Sequence, residues 1–316
     1  MGRVAGIDRV AAVDCGTNSI RLLVADLPDD PAGSLTDIAR RMEIVRLGRG
    51  VDRTGRLAPE SIERTRIALA DYAEQISTLG AQRVRMVATS ATRDAANADE
   101  FRAMVVETIG VTPEVVSGDE EARLSFAGAV RGLPPQTEPP FLVVDIGGGS
   151  TEFVLGRQTV DHAISVDIGC VRMTERHLHD DPPTGDQVRA AEADIVANVD
   201  RALEVVPGRT ARTLVGLAGS VTTVTALGLG LDSYRPERIH HARISYADVA
   251  KVTRDLLALT HAGRLALPVM HPGRADVIGA GALILRVVME RVGAESVVAS
   301  EHDILDGMCY SLQEMI

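Results

Sequence analysis

Apolar and polar positions along the chain form two successive alternations of strand-like and helix-like segments. Val10–Asp14 and Ile20–Asp26 are short apolar runs on either side of a glycine-containing turn, so they read as a strand and its return strand, with Ile38–Leu47 as a third. Pro59–Leu79 carries Ile62, Ile67, Leu69, Tyr72, Ile76 and Leu79 at helical spacing, with proline near its start and Gly80 at its end. Arg83–Thr89 predicts a strand, Asp94–Ile109 a helix and Pro113–Val116 a short strand. Gly118–Val130 predicts a helix whose first turn holds Asp119, Glu120 and Glu121, where carboxylates suit the positive end of the helix dipole.

Gly132–Pro140, with four prolines, has the composition of a linker. The pattern then restarts. Strands are predicted at Phe141–Asp145, Phe153–Leu155, Ala163–Asp167, Thr213–Leu217 and Ser296–Ala299. Helices are predicted at Val171–Leu178, Thr184–Val205, Ser220–Leu227, Tyr246–Leu259, Ala275–Val292 and 304–315. Alternating strands and helices make the chain α/β, and the restart divides it into lobes 1–130 and 131–316.

Both lobes open on the same device. Asp14-x-Gly16-x-x-Ser19 returns as Asp145-x-Gly147-x-x-Ser150, 131 residues on (14 to 145), about the size of one domain. A repeat at that period implies two related lobes. Glycines let the backbone approach an anion, and successive N–H groups can cradle phosphate oxygens. An aspartate at the strand end can hold Mg²⁺, which prefers hard oxygen ligands and keeps several waters. Neither loop continues with the lysine of a P-loop.

Composition narrows the partners. Aromatic residues are 3% of the chain and tryptophan is absent, so the core is aliphatic and the stacking platforms of single-strand nucleic-acid binders are missing. The net charge of -11 provides no general attraction for nucleic acid or an anionic membrane, so any polyanion must be met by a local site. Three scattered cysteines without C-x-x-C spacing, no signal-like start and no membrane-length apolar run read as a soluble cytoplasmic protein without a structural zinc site.

Three segments resemble the signatures of the exopolyphosphatase/guanosine-pentaphosphatase (Ppx/GppA) family: Val13–Leu22, Ser117–Leu124 and Val144–Glu152. Further similarity runs through Ala88–Arg93, Gly216–Thr223, His271–Asp276 and Ser300–Gly307, so it covers nearly the whole chain. The resemblance implies an actin-like ATPase (ribonuclease-H-like) fold with the active site between the lobes, and a final helix that packs back toward the first lobe. A chain ending at Ile316 resembles the short, actinobacterial-type form, without the extra C-terminal helical or HD-type domain of longer members.

The activity implied is hydrolysis of terminal phosphoanhydride bonds of inorganic polyphosphate, with guanosine pentaphosphate as a second implied substrate. On this resemblance Glu121 is the general base. Glu120 serves as its internal control, because adjacent helical residues diverge by about 100°. Arg93 balances phosphate charge, as Arg does with its two-pronged guanidinium. Asp14 and Asp145 hold Mg²⁺, with Mn²⁺ suited to the same oxygens. Thr17, Asn18, Ser19, Gly147, Gly148, Gly149, Ser150 and Thr151 form the phosphate cradle, and Arg21 and Arg274 reach more distant phosphates. A homodimer is a further family-based expectation.

Other residues read more plainly. Arg46, Arg49, Arg53 and Arg56 form a basic cluster, read as a solvated turn that could also guide a polyanion. His177, His179 and Asp180 read as surface positions, and His240-His241 as part of a loop. Cys15, inside the first loop, reads as packing and not as a nucleophile. Two other functions stay open at this point. One is a sensor that binds (p)ppGpp or polyphosphate without turning it over. The other is an actin-fold kinase, since Gly216-Leu-Ala-Gly-Ser220 loosely resembles an adenosine-contacting turn.

Overall fold

A computed structural model of the chain describes residues 8–30 and 33–314. Met315, the last residue of the expected final helix, and the first seven residues of the expected N-terminal lobe lie outside the described residues. The chain divides into two compact units: the described residues of Met1–Gly132 with Ile304–Ile316, and Leu133–Asp303.

The first unit is built on a five-stranded sheet of β1 (Arg9–Cys15), β2 (Ser19–Asp26), β3 (Thr36–Ile44), β4 (Arg83–Ala88) and β5 (Glu114–Val115), in the order β3-β2-β1-β4-β5. β2 runs antiparallel to both β1 and β3, whereas β4 lies parallel to β1 and β5 parallel to β4. The unbroken apolar run of β1 is explained by burial on both faces. Ala11, Val13 and Cys15 join a core with Leu69, Tyr72 and Ile76 of the helix Pro59–Leu79 and with Phe101 and Val105 of the helix Ala98–Ile109. Val10 and Ala12, facing the other way, pack with Leu124, Ile304, Leu305, Met308, Cys309 and Leu312. The final helix, Ile304–Glu314, therefore completes the core of the first unit.

The second unit repeats the plan. Its strands are β6 (Phe141–Ile146), β7 (Thr151–Gly156), β8 (Val160–Val166), β9 (Thr213–Leu217), β10 (Arg243–Ser245) and β11 (Ser296–Ala299). The sheet order is β10-β11-β9-β6-β7-β8. Read from its far edge, β8-β7-β6-β9-β11 reproduces the first sheet strand for strand, including three antiparallel strands followed by two parallel additions. β10 is an extra antiparallel edge. Two mixed sheets of one topology are the actin-like, ribonuclease-H-like α/β arrangement that the resemblance implied.

Some expected elements end elsewhere. The predicted strand Ile38–Leu47 stops at Ile44, because the amides of Val45 and Arg46 turn to the carbonyl of Asn18. The predicted helix Asp94–Ile109 begins only at Ala98, and a separate helical turn, Ser90–Arg93, precedes its expected start. Between them Asn97 binds both backbone groups of Leu57 and cannot continue a helix. The last core helix begins at Ile278, after a 3₁₀ turn at Pro272–Arg274. The three-residue β10 has too little pattern to be predicted.

Candidate functional site

In the first unit, buried Asp14 is the last but one residue of β1, and the strand register sets it opposite Arg21 on β2. The Arg21 guanidinium donates to Asp14 Oδ2 from Nη2 at 2.6 Å and from Nε at 3.1 Å, a charge-assisted contact. Past the turn, the Thr17 hydroxyl meets Ser90 Oγ at 2.9 Å. Ser90 opens the helical turn after β4, and at its end Arg93 donates from Nη1 to Val116 O at 2.9 Å and to Glu121 Oε2 at 3.2 Å. The structure thus brings Thr17, Ser90, Arg93 and Glu121 into one chain of contacts.

The two neighbouring glutamates diverge. Glu121 is 9% exposed, while the half-exposed Glu120 pairs with Arg85 at 2.9 Å. Ser117 fixes this helix start: its hydroxyl accepts from Glu120 N at 3.2 Å and its carbonyl accepts from Glu121 N at 2.9 Å. Cys15 is fully buried in the core, and burial beside Asp14 pushes its thiol well above the usual range, so it is no nucleophile.

In the second unit, β6 carries buried Asp145 opposite buried Glu152 on β7. Glu152 accepts from Ser165 Oγ at 2.7 Å. Two carboxylates facing across a hairpin repel unless a cation or proton joins them. Sequence reasoning passed over Glu152. The signal was available, because in both hairpins the partner of the strand-end aspartate stands seven residues on.

The loop between these strands has its carbonyls pinned. Gly147 O accepts from Cys170 N at 2.9 Å, Gly148 O from Val171 N at 2.9 Å and Arg172 N at 3.1 Å, and Gly149 O from Arg172 Nε at 2.7 Å. In a trans peptide the N–H points opposite to the C=O. The amides of Gly148, Gly149 and Ser150 are therefore all turned away from residues 170–172, as three successive donors of an anion nest. The Thr151 hydroxyl is spent on the Ile168 carbonyl, so this residue's hydroxyl belongs to the loop's support and not to its binding face.

The first loop shows the same design. Gly16 N donates to Ser19 O at 2.9 Å, as Gly147 N does to Ser150 O at 3.1 Å. Thr17 O accepts from Gly48 N at 2.8 Å, and Asn18 O from Val45 N at 3.1 Å and Arg46 N at 2.8 Å. Arg46, the first of the predicted basic cluster, thereby acts through its backbone.

Arg274 lies on the 3₁₀ turn Pro272–Arg274 and reaches the start of the helix that follows β9. Its guanidinium lies against Gly219, where a Cβ would come closer than 3.0 Å, and Nη1 reaches Thr223 Oγ1 at 3.4 Å. His177 pairs with Asp194 at 2.8 Å, and His240 stacks between His241 and His302. Among the described residues no group of three or more His, Cys, Asp or Glu side chains is arranged to hold a metal. Asp145 with Glu152 is nonetheless a donor set that fits Mg²⁺, which is usually bound by one or two carboxylates and fills its remaining positions with water and phosphate. Among the described residues no helix is long and apolar enough to cross a membrane.

Comparison with known proteins places this geometry. The sequence profile of the Ppx/GppA phosphatase family matches residues 28–315. The chain is 52% identical over 316 residues to a protein of Mycobacterium tuberculosis named Exopolyphosphatase 2, covering 97% of this chain and 99% of that one. It is 29% identical over 305 residues to a guanosine-5'-triphosphate,3'-diphosphate pyrophosphatase of Photobacterium profundum, covering 96% of this chain and 59% of that protein. Among solved structures, that of an exopolyphosphatase-like protein superposes with a TM-score of 0.94 at 41% identity, covering 97% of this chain and 98% of that one.

Proposed function

The chain belongs to the Ppx/GppA phosphatase family, and on that premise we propose that it is an exopolyphosphatase that releases orthophosphate from the end of inorganic polyphosphate. The observation that carries this reading is the Gly147–Ser150 loop, whose three amides, turned away from residues 170–172, suit a terminal phosphate group. The 52% identity to a protein named Exopolyphosphatase 2 supports the same substrate.

In this reading Glu121 accepts the proton of the attacking water. The water oxygen forms the new P–O bond as the terminal anhydride P–O bond breaks, and the proton passes on to solvent. Arg93 holds the Glu121 carboxylate from Oε2 and is itself anchored on Val116 O, so the base keeps one orientation. The amides of Gly148, Gly149 and Ser150 bind phosphate oxygens, and Thr17, Asn18 and Ser19 form the equivalent loop of the first unit. Asp145 and Glu152, with Asp14 sharing its carboxylate with Arg21, are the residues that would hold Mg²⁺ or Mn²⁺. When bound, the cation neutralises phosphate charge.

Guanosine pentaphosphate ends in the same phosphoanhydride and is proposed as a second substrate, supported by the similarity to the Photobacterium profundum protein. The test is phosphate release from polyphosphates of graded length and from guanosine pentaphosphate, with Mg²⁺ present or omitted. Release from polyphosphate only when Mg²⁺ is present supports the reading. Tight binding with no turnover on any length overturns it and leaves a binding protein.

A further inference from the structure

The glycine loops are held from behind by segments that the activity itself does not require. In each unit the segment is the stretch leaving the third strand of the sheet: Ile168–Arg172 after β8 and Val45–Gly48 after β3. Each gives three backbone amides to carbonyls of its loop, and each contains one glycine at the point of closest approach. At Gly169 a Cβ would fall 2.5 Å from Gly149 N and still closer to the carbonyl of Gly148. At Gly48 it would fall 3.0 Å from Ala91 Cβ and collide with the Thr17 side chain.

Gly169 has φ −139° and ψ 163°, which any residue can adopt. Glycine is needed there for space alone, and the space it leaves is occupied by the loop. The first segment is itself backed by the helix Pro59–Leu79, through Ser61 Oγ to Arg46 O at 3.0 Å and Arg64 Nε to Val45 O at 2.9 Å, and it holds Arg46 at φ 51°. A bulky residue in the left-handed region persists only when its surroundings enforce it.

We infer that Gly169 and Arg172 are positioning residues, which press and pin the Gly147–Ser150 loop so that its three amides face the phosphate before any ligand arrives. The inference rests on the phosphatase reading for the identity of the anion. Gly169 sets how near the segment comes. Arg172 contributes twice, through its backbone amide to Gly148 O and through Nε to Gly149 O, and the second contact orients the Ser150 amide. Pre-orientation matters because a loop that must order on binding loses that ordering cost from its affinity.

The test uses the full chain and two readouts: calorimetric binding of tripolyphosphate, and kcat and KM for polyphosphate. Gly169→Ala should keep the wild-type circular dichroism spectrum, weaken tripolyphosphate binding at least tenfold and raise KM in proportion, with kcat changed less than threefold, the pattern of lost uniform binding. Arg172→Ala should weaken binding about threefold to tenfold, and Arg172→Lys less. A folded Gly169→Ala protein with wild-type affinity and KM overturns the inference. If that variant does not fold, wild-type affinity in Arg172→Ala overturns it. A wild-type protein that binds tripolyphosphate but releases no phosphate sinks the phosphatase reading while the binding series still judges the brace. No binding by the wild-type protein sinks the brace as well.

Discussion

The two strand–loop–strand hairpins share a backbone plan and differ in charge. Across from Asp14 stands Arg21, and across from Asp145 stands Glu152. In the first hairpin the facing residues form an ion pair, and Glu121, the proposed base, stands on a separate helix of the same unit. In the second the facing residues are two buried carboxylates, Asp145 and Glu152. A duplicated backbone plan thus carries an ion pair in one unit and a pair of carboxylates in the other.

The largest expected effect tests the first half. Glu121→Gln should lower kcat by about 10²- to 10⁴-fold, the usual range for a general base, while Glu120→Gln, paired outward with Arg85, should stay within twofold. Equal rates in wild type and Glu121→Gln, measured by phosphate release, would remove the base from this unit. The second half is tested by metal titration. Asp145→Asn should raise the Mg²⁺ concentration for half-maximal activity at least tenfold. Asp14→Asn should raise it only about threefold, and should also cost roughly 2 kcal/mol in chemical denaturation, because Arg21 loses a charged hydrogen-bond partner. Equal shifts in the two variants would erase the distinction drawn from Arg21 and Glu152.

A smaller effect separates the units by stability. A Cβ on Gly307 would lie 2.8 Å from the carbonyl carbon of Leu124 and closer still to its oxygen, so the final helix packs backbone to backbone on the helix that carries Glu121. Gly307→Ala should cost about 1–3 kcal/mol, as overpacking does. Hydrogen exchange should quicken in β1 and Gly118–Arg131 and stay unchanged in β6. Loss of protection in both units would count against two separate cores. The smallest effect concerns the cysteines. Cys15 occupies the place that Ile146 holds in the second hairpin, so Cys15→Val should change activity less than twofold. Burial pushes the Cys170 thiol up to about 11, and Cys15 and Cys309 are also raised by burial. A thiol reagent at pH 8 should therefore label none of the three in the native protein and all three after denaturation.

The hairpins were legible because their chemistry is local: an aspartate, a glycine and a hydroxyl at fixed offsets report a turn whatever surrounds it. The braces were not. Gly48 and Gly169 play matching parts but do not share the 131-residue offset, because the connection from β2 to β3 runs from Asp26 to Thr36 whereas that from β7 to β8 runs only from Gly156 to Val160. A repeat search at constant period passes over them. Val10–Asp14 likewise read as a strand, yet much of the cover on one of its faces comes from residues almost three hundred positions away, which no local pattern encodes.

That distant cover has a consequence for how the protein is made. Ile304–Glu314 leaves the ribosome only after the whole of the second unit, and it fills one face of the sheet to which Arg9–Cys15 belongs. The second unit, Leu133–Asp303, is continuous in the chain and has all of its residues before the first unit has its own. Domains are usually completed in the order of their synthesis. Here the half that is begun first is finished last, and until then its nascent sheet carries an open apolar face.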